Sequence, residues 1–117
     1  MTKSGVRHHA ADRPPQTVLV EHVERFNRGV RTGDFGDMVS CFAEDAELLF
    51  DGVPVGPLHG RESIGEAYAA QPPDDEIVLL DDDGTYAWAK EPETPAGRMF
   101  LTERDGEIAR LVIRYDR

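Results

Sequence analysis

Between residues 16 and 32 the apolar side chains Leu19, Val23, Phe26 and Val30 fall three or four apart, the spacing of one helix face. His22 lies beside them on the same side. Pro14-Pro15 suits a first helical turn, where the missing N–H is not needed. Glu21 precedes Arg25 by four residues and Glu24 precedes Arg28 likewise, so the opposite face reads as solvated and ion-paired. Gly33 ends the helix, and Asp34 can cap a second one, with Asp37 three residues on. Phe35, Met38, Val39 and Phe42 would form its apolar face, with Cys41 packed beside them.

The pattern then changes period. Residues 46–51 read as a strand and 53–58 as a short extended piece. Gly60 opens a third helix over 61–71 that carries Ile64, Ala67 and Tyr68 inward, until Pro72-Pro73 stop it. Four strands follow, over 76–81, 85–90, 98–104 and 107–115. DDDG and RDG separate them as hairpin turns and EPETPAG as a longer loop. Three helices interleaved with one short hairpin, then a four-strand meander, predict an α+β domain: a curved antiparallel sheet wrapped around the helices.

Composition narrows the partners. The chain has 117 residues, enough for one domain over 15–117 behind a disordered polar tail at 1–14. Its 23 acidic and 13 basic side chains leave a formal charge of −10, a field that repels a phosphate backbone and an anionic bilayer. Neither nucleic acid nor a membrane is expected as partner. No apolar run approaches the ~20 residues of a membrane helix, and the first residues lack the apolar core of a secretory signal. The single Cys41 allows no intrachain disulfide and fits a reducing, cytoplasmic setting.

Candidate chemistry is sparse. His8-His9 in the tail carry no ligand pattern. An EF-hand loop with Gly84 at its sixth position would put Leu79 and Lys90 where oxygen ligands belong, so the acidic runs read as solvated turns. HExxH, CxxC, GxGxxG and GxSxG are all missing, and no metal or cofactor is expected.

Three strings in order, FNRGVRTGDFGDMVSCFAEDAELLF, GPLHGRESIGEAY and a final LVIRYD, resemble the NTF2-like superfamily and, within it, the SnoaL-like and ketosteroid-isomerase-like branch. The resemblance spans about residues 15–117. It implies a cone in which helices and the concave sheet face enclose a largely apolar pocket, and a convex face that often forms a dimer, here through Leu49, Met99, Leu101 and Val112. Characterised relatives include isomerases, polyketide cyclases, dehydratases and epoxide hydrolases, while others only bind a partner, so fold does not settle function. The ketosteroid-isomerase set pairs an aspartate base with a tyrosine and a protonated acid. Carried onto this chain, the three positions fall on Phe50, Phe26 and Phe100, none of which can donate or accept a proton. The last-strand aspartate of the epoxide-hydrolase set falls on Ile113. Asp116 matches the aspartate that commonly closes the final strand, a structural role.

The remaining polar groups supply the candidates. Side chains alternate across a strand, so if Phe50 points into the pocket, Asp51 points away unless a bulge near Gly52 reverses it. His22, one turn before Phe26, titrates nearest neutrality and is the first choice for a general acid/base, with Asp51 second. A hydrogen-bonded core histidine is the plainer alternative. Arg98 shares parity with Phe100 and would reach the rim as an anion fork or remain a surface arginine. Tyr86 and Trp88 share one strand face and would line the hollow or simply fill the core. Tyr68 and Tyr115 could each offer a phenol to a ligand oxygen, and His59 could sit at the rim. With Phe26, Phe50, Phe100 and Ile113 as wall, the expectation is a cofactor-free isomerase, cyclase or dehydratase acting on an apolar cyclic metabolite. The alternative is a binding or dimeric partner module without catalysis.

Overall fold

The computed structural model describes residues 14–115. Pro14 apart, the expected tail lies outside the described residues, with His8-His9, and so does Asp116. Helix α1 (Pro15–Thr32) begins after an extended Pro14 and ends at Gly33, whose φ of 82° lets its N–H turn back to the Gly29 carbonyl. It buries Val18, Leu19, His22, Val23, Phe26 and Gly29. Gly29 is a seat: a Cβ there would stand 2.3 Å from the Phe35 ring, so the missing side chain lets Phe35 close onto α1.

Helix α2 (Gly36–Val39) is a single turn, opened by Asp34 Oδ1 accepting from the Gly36 N–H at 2.9 Å. The expected apolar face ending at Phe42 is therefore corrected. The Cys41 carbonyl already accepts from the Ile108 N–H, so the backbone has joined the sheet and Phe42 opens a strand. That strand, β1 (Phe42–Asp51), is followed by β2 (Leu58–His59), α3 (Arg61–Ala70), β3 (Ile77–Leu79), β4 (Thr85–Trp88), β5 (Gly97–Arg104) and β6 (Glu107–Tyr115). Most of the 53–58 stretch is loop. β3 stops short of Asp81 because Asp81 and Asp83 side chains accept backbone N–H groups across the turn.

The six strands lie in the order β2-β1-β6-β5-β4-β3. All neighbours run antiparallel except β1 and β6, which are parallel, so the curved sheet is mixed rather than wholly antiparallel. The first and last long strands meet at its middle, and α3 with the meander forms the crossover between them.

Strand β6 changes register with both neighbours at Ala109. Against β5, Glu103 pairs with Ile108 and Thr102 with Arg110, leaving Ala109 unpaired. Against β1, Phe42 pairs with Ile108 and Glu47 with Arg110, so four residues face one. An unshifted hairpin would set Phe100 opposite Leu111 and Arg98 opposite Ile113. The extra residue instead pairs Met99 with Ile113 and Leu101 with Leu111. Met99 and Leu101 thus belong to the concave side, correcting their expected place on the convex dimer patch. Leu49 and Val112 keep the outward parity expected of them, now beside Phe100.

The concave face buries Leu48, Met99, Leu111 and Ile113 under α1 and α3. Asn27 ties α1 to the edge strand: its Nδ2 donates to the Ile77 carbonyl at 2.9 Å and its Oδ1 accepts from the Ile77 N–H at 2.8 Å. No described helix is long and apolar enough to cross a membrane. Asn27→Ala leaves both backbone groups of Ile77 without these partners. It is expected to lower unfolding free energy by about 1–3 kcal/mol, read from urea unfolding followed by circular dichroism; an unchanged midpoint would show the clamp carries no stability.

Candidate functional site

Between α1, α3 and the concave sheet face lies a cavity of about 530 Å³. His22 and Phe26 reach it from α1, Phe50 from β1, Leu58 from β2, and Ala67 and Tyr68 from α3, with Gln71 just beyond that helix. The sheet adds Ile77, Tyr86, Trp88, Met99, Ile113 and Tyr115, and the loops add Val53, Val55 and Pro73. None of the 16 lining residues is Asp, Glu, Lys or Arg. The GVPVGP loop after β1 brings Val55 to the wall although it is 52% exposed. That exposure places an apolar side chain where cavity meets solvent.

His22 is 2% exposed, and its ring meets Phe42 edge-on at 5.6 Å between centroids. Nδ1 is sealed among protein atoms with no hydrogen-bond partner. Burial, and then the nearby Arg25 charge, lower its pKa from 6.5 to about 4, so the imidazole is neutral at neutral pH. Tyr68 is 8% exposed and forms the partition of the cavity, its ring 5.3 Å from that of Phe35. Burial raises its pKa, and the neighbouring Tyr115 phenol raises it further. Tyr115, half-buried, is also raised by burial. Both phenols keep their protons through the neutral range. Trp88 meets Tyr86 edge-on at 6.0 Å, so the chain's one tryptophan stands on the cavity wall.

Four expected site residues lie elsewhere. Asp51 points from the convex face, its Oδ2 accepting from Arg114 Nε at 3.0 Å. From Glu47 to Asp51 the pairing with β6 keeps one register, so alternation holds there and Phe50 takes the inward place. Phe100 is outside too, flanked by the guanidinium groups of Arg98 at 5.1 Å and Arg114 at 4.9 Å from its centroid. Arg98 shares that face, where Nε donates to the Asp83 carbonyl at 3.1 Å and Nη2 lies 3.3 Å from Asp83 Oδ2. The Ala109 shift explains both errors, and Met99 is the inward residue of β5 that counting back from the turn missed. His59 lies 3.3 Å from Glu47 Oε2 and borders a different concavity, about 930 Å³, outside the α2–α3 contact. Of the other expected site residues, only Tyr68 touches that second space, through the ring that separates the two.

The apolar loop residues Val53 and Val55 and the edge residue Ile77 were visible as apolar in the sequence, but nothing local marked them as wall. No three His, Cys, Asp or Glu side chains come together as a metal cluster among the described residues. Cys41 is half-buried with Sγ 3.4 Å from the Asp37 carbonyl oxygen, a packing position.

No family model and no curated protein matches the chain. Solved structures do. A SnoaL-like protein of unknown function from Burkholderia thailandensis aligns with a TM-score of 0.60 at 18% identity, covering 90% of this chain and 100% of that one. An NTF2-like protein of unknown function from Burkholderia xenovorans gives 0.60 at 13%, covering 87% and 85%. A provisionally assigned ketosteroid isomerase from Kribbella flavida gives 0.58 at 13%, covering 86% and 79%. The chain therefore has the NTF2-like fold, the architecture of the SnoaL-like and ketosteroid-isomerase-like proteins. At these identities the side chains, not the likeness, must carry any statement about chemistry.

The buried neutral His22 makes stability depend on pH with a definite sign. Its folded pKa lies below the unfolded value, so the unfolded chain binds the extra proton and stability falls as pH drops from about 6.5 toward 4. This one group contributes about 3 kcal/mol across that window. Wild type is expected to lose that much more than His22→Leu in urea unfolding between pH 7 and pH 4; parallel losses would show His22 is not buried uncharged.

Proposed function

We propose that this protein takes up an apolar small molecule in the 530 Å³ cavity and acts on it by cofactor-free proton transfer. The observation carrying the proposal is a roomy hollow whose wall bears no formal charge and includes His22, an imidazole held neutral by burial. An apolar wall of this size favours a ligand through the area it removes from water, at ~25 cal/mol per Å² before the losses of association.

The chemistry in keeping with such a wall is isomerisation, cyclisation or dehydration. A neutral imidazole is ready to accept a proton at neutral pH. Its low pKa makes it a weak base in the empty protein, but negative charge growing on a neighbouring substrate favours the imidazolium and raises that pKa. The proton can then return to another atom of the same molecule, which completes an isomerisation without a co-reactant. Tyr68 and Tyr115 remain proton donors throughout.

A second reading, binding without catalysis, draws on the same wall. No carboxylate lines it, and the imidazole is nearly enclosed. Two measurements separate these readings. The uncharged dye Nile red is expected to bind with rising emission and quench Trp88, and Ala67→Trp, which fills the hollow, should weaken binding at least about tenfold. Failure of the dye to bind, or equal binding to the filled variant, would remove the pocket reading. Deuterium uptake from D₂O into a bound ketone, lost in His22→Leu, would support catalysis; binding without uptake would leave the non-catalytic reading.

A further inference from the structure

Tyr68 combines three features that structural packing alone does not require. It is more than nine-tenths buried, it lines the cavity, and its hydroxyl makes no hydrogen bond with any described residue. A buried hydroxyl without a partner is destabilising, so native proteins seldom keep one where nothing meets it. Unlike His22 Nδ1, the Tyr68 oxygen is not sealed among protein atoms, so a molecule in the cavity can reach it. Tyr115, the other phenol of this wall, also lines this cavity and does not border the outer groove.

We infer that Tyr68 Oη is the polar anchor of the cavity, donating its hydrogen to an acceptor oxygen on an uncharged ligand, of which a ketone is the simplest kind. This assignment rests on the cavity being a ligand site and adds the class of molecule it takes. Three properties of the wall select that class. No lysine or arginine is present to neutralise a carboxylate, and moving an unpaired carboxylate out of water into such a wall is strongly unfavourable. No aspartate or glutamate is present to hold an ammonium group. A pure hydrocarbon would fill the apolar volume but leave the buried phenol unsatisfied. The residue sits on α3 with Ile64 fully buried one turn earlier and Phe35 against its ring, so the donor is held by packing. Tyr115, half-buried on β6, lines the same cavity and is the second phenol donor of its wall.

A matched bicyclic series tests the assignment by competition against bound Nile red at pH 7: decalin, 2-decalone and decalin-2-carboxylate. The ketone is expected to displace dye at about tenfold lower concentration than the hydrocarbon, the worth of one satisfied hydrogen bond in a dry site. The carboxylate is expected to be the weakest of the three. Tyr68→Phe, which removes one oxygen and keeps the ring, should bring ketone and hydrocarbon within about twofold while leaving hydrocarbon binding in place. Equal binding of ketone and hydrocarbon to wild type overturns the assignment while the pocket reading stands, and so does a carboxylate as tight as the ketone. An undiminished ketone advantage in the variant does the same. If neither dye nor hydrocarbon binds, the pocket reading falls and this assignment with it. Should the variant fail to fold, the wild-type series alone decides.

Discussion

A single unpaired residue, Ala109, sets which side chains face the interior. It interrupts β6 against β5 and against β1 at once, between Ile108 and Arg110. Because strand side chains alternate, one residue of shift exchanges the two faces of everything beyond it. With the shift, Met99 faces Ile113 across the cavity wall, and Phe100 lies outside between two guanidinium groups. Without it, Arg98 and Phe100 would occupy the wall. A cationic group would then stand in the hollow, and the interior would lose the freedom from charge on which its ligand preference depends.

That freedom from charge has a counterpart outside. The arginines of the convex face are occupied in pairs: Arg114 with Asp51, Arg98 with Asp83, and Arg110 with Glu47. Exposed pairs of this kind contribute little to stability, but they keep polar groups on the solvent side of a sheet whose other face is largely apolar. Inside, titratable groups are held in uncharged forms by burial, His22 from below and Tyr68 from above. Fold, partition of charge and the state of these side chains follow from one division of the sheet into two faces.

Most of the architecture was legible because it rests on local signals. The helical period through Leu19, Val23 and Phe26, the glycine stop at Gly33 and the proline stop after α3 each act within a few residues. The inward turn of Phe50 and outward turn of Asp51 followed from alternation alone. Tyr86 and Trp88 were placed on one inward face for the same reason. Failures came where distant strands decide. Phe42 has a helical neighbourhood, but the pairing of Cys41 with Ile108 draws it into the sheet. Met99, Phe100 and Arg98 depend on the Ala109 irregularity, which nothing in the RDGEIAR segment announces. The parallel pairing of β1 with β6 likewise joins residues more than sixty positions apart. His22 could be placed on the inner side of α1, but its near-complete enclosure, and with it the size of its pKa change, belongs to the packed molecule.

The central claim is that the concave, uncharged side of the sheet receives a ligand. Methyl-carbon NMR of the methionines, followed as 2-decalone is added, reads that claim at atomic positions. Met99 lines the cavity, whereas Met38 is fully buried and outside its lining. The Met99 methyl signal is expected to shift progressively and saturate, together with the Trp88 indole signal, while Met38 stays nearly still. A Met99 signal unmoved at concentrations that perturb convex-face residues such as Phe100, or unmoved altogether, would contradict it.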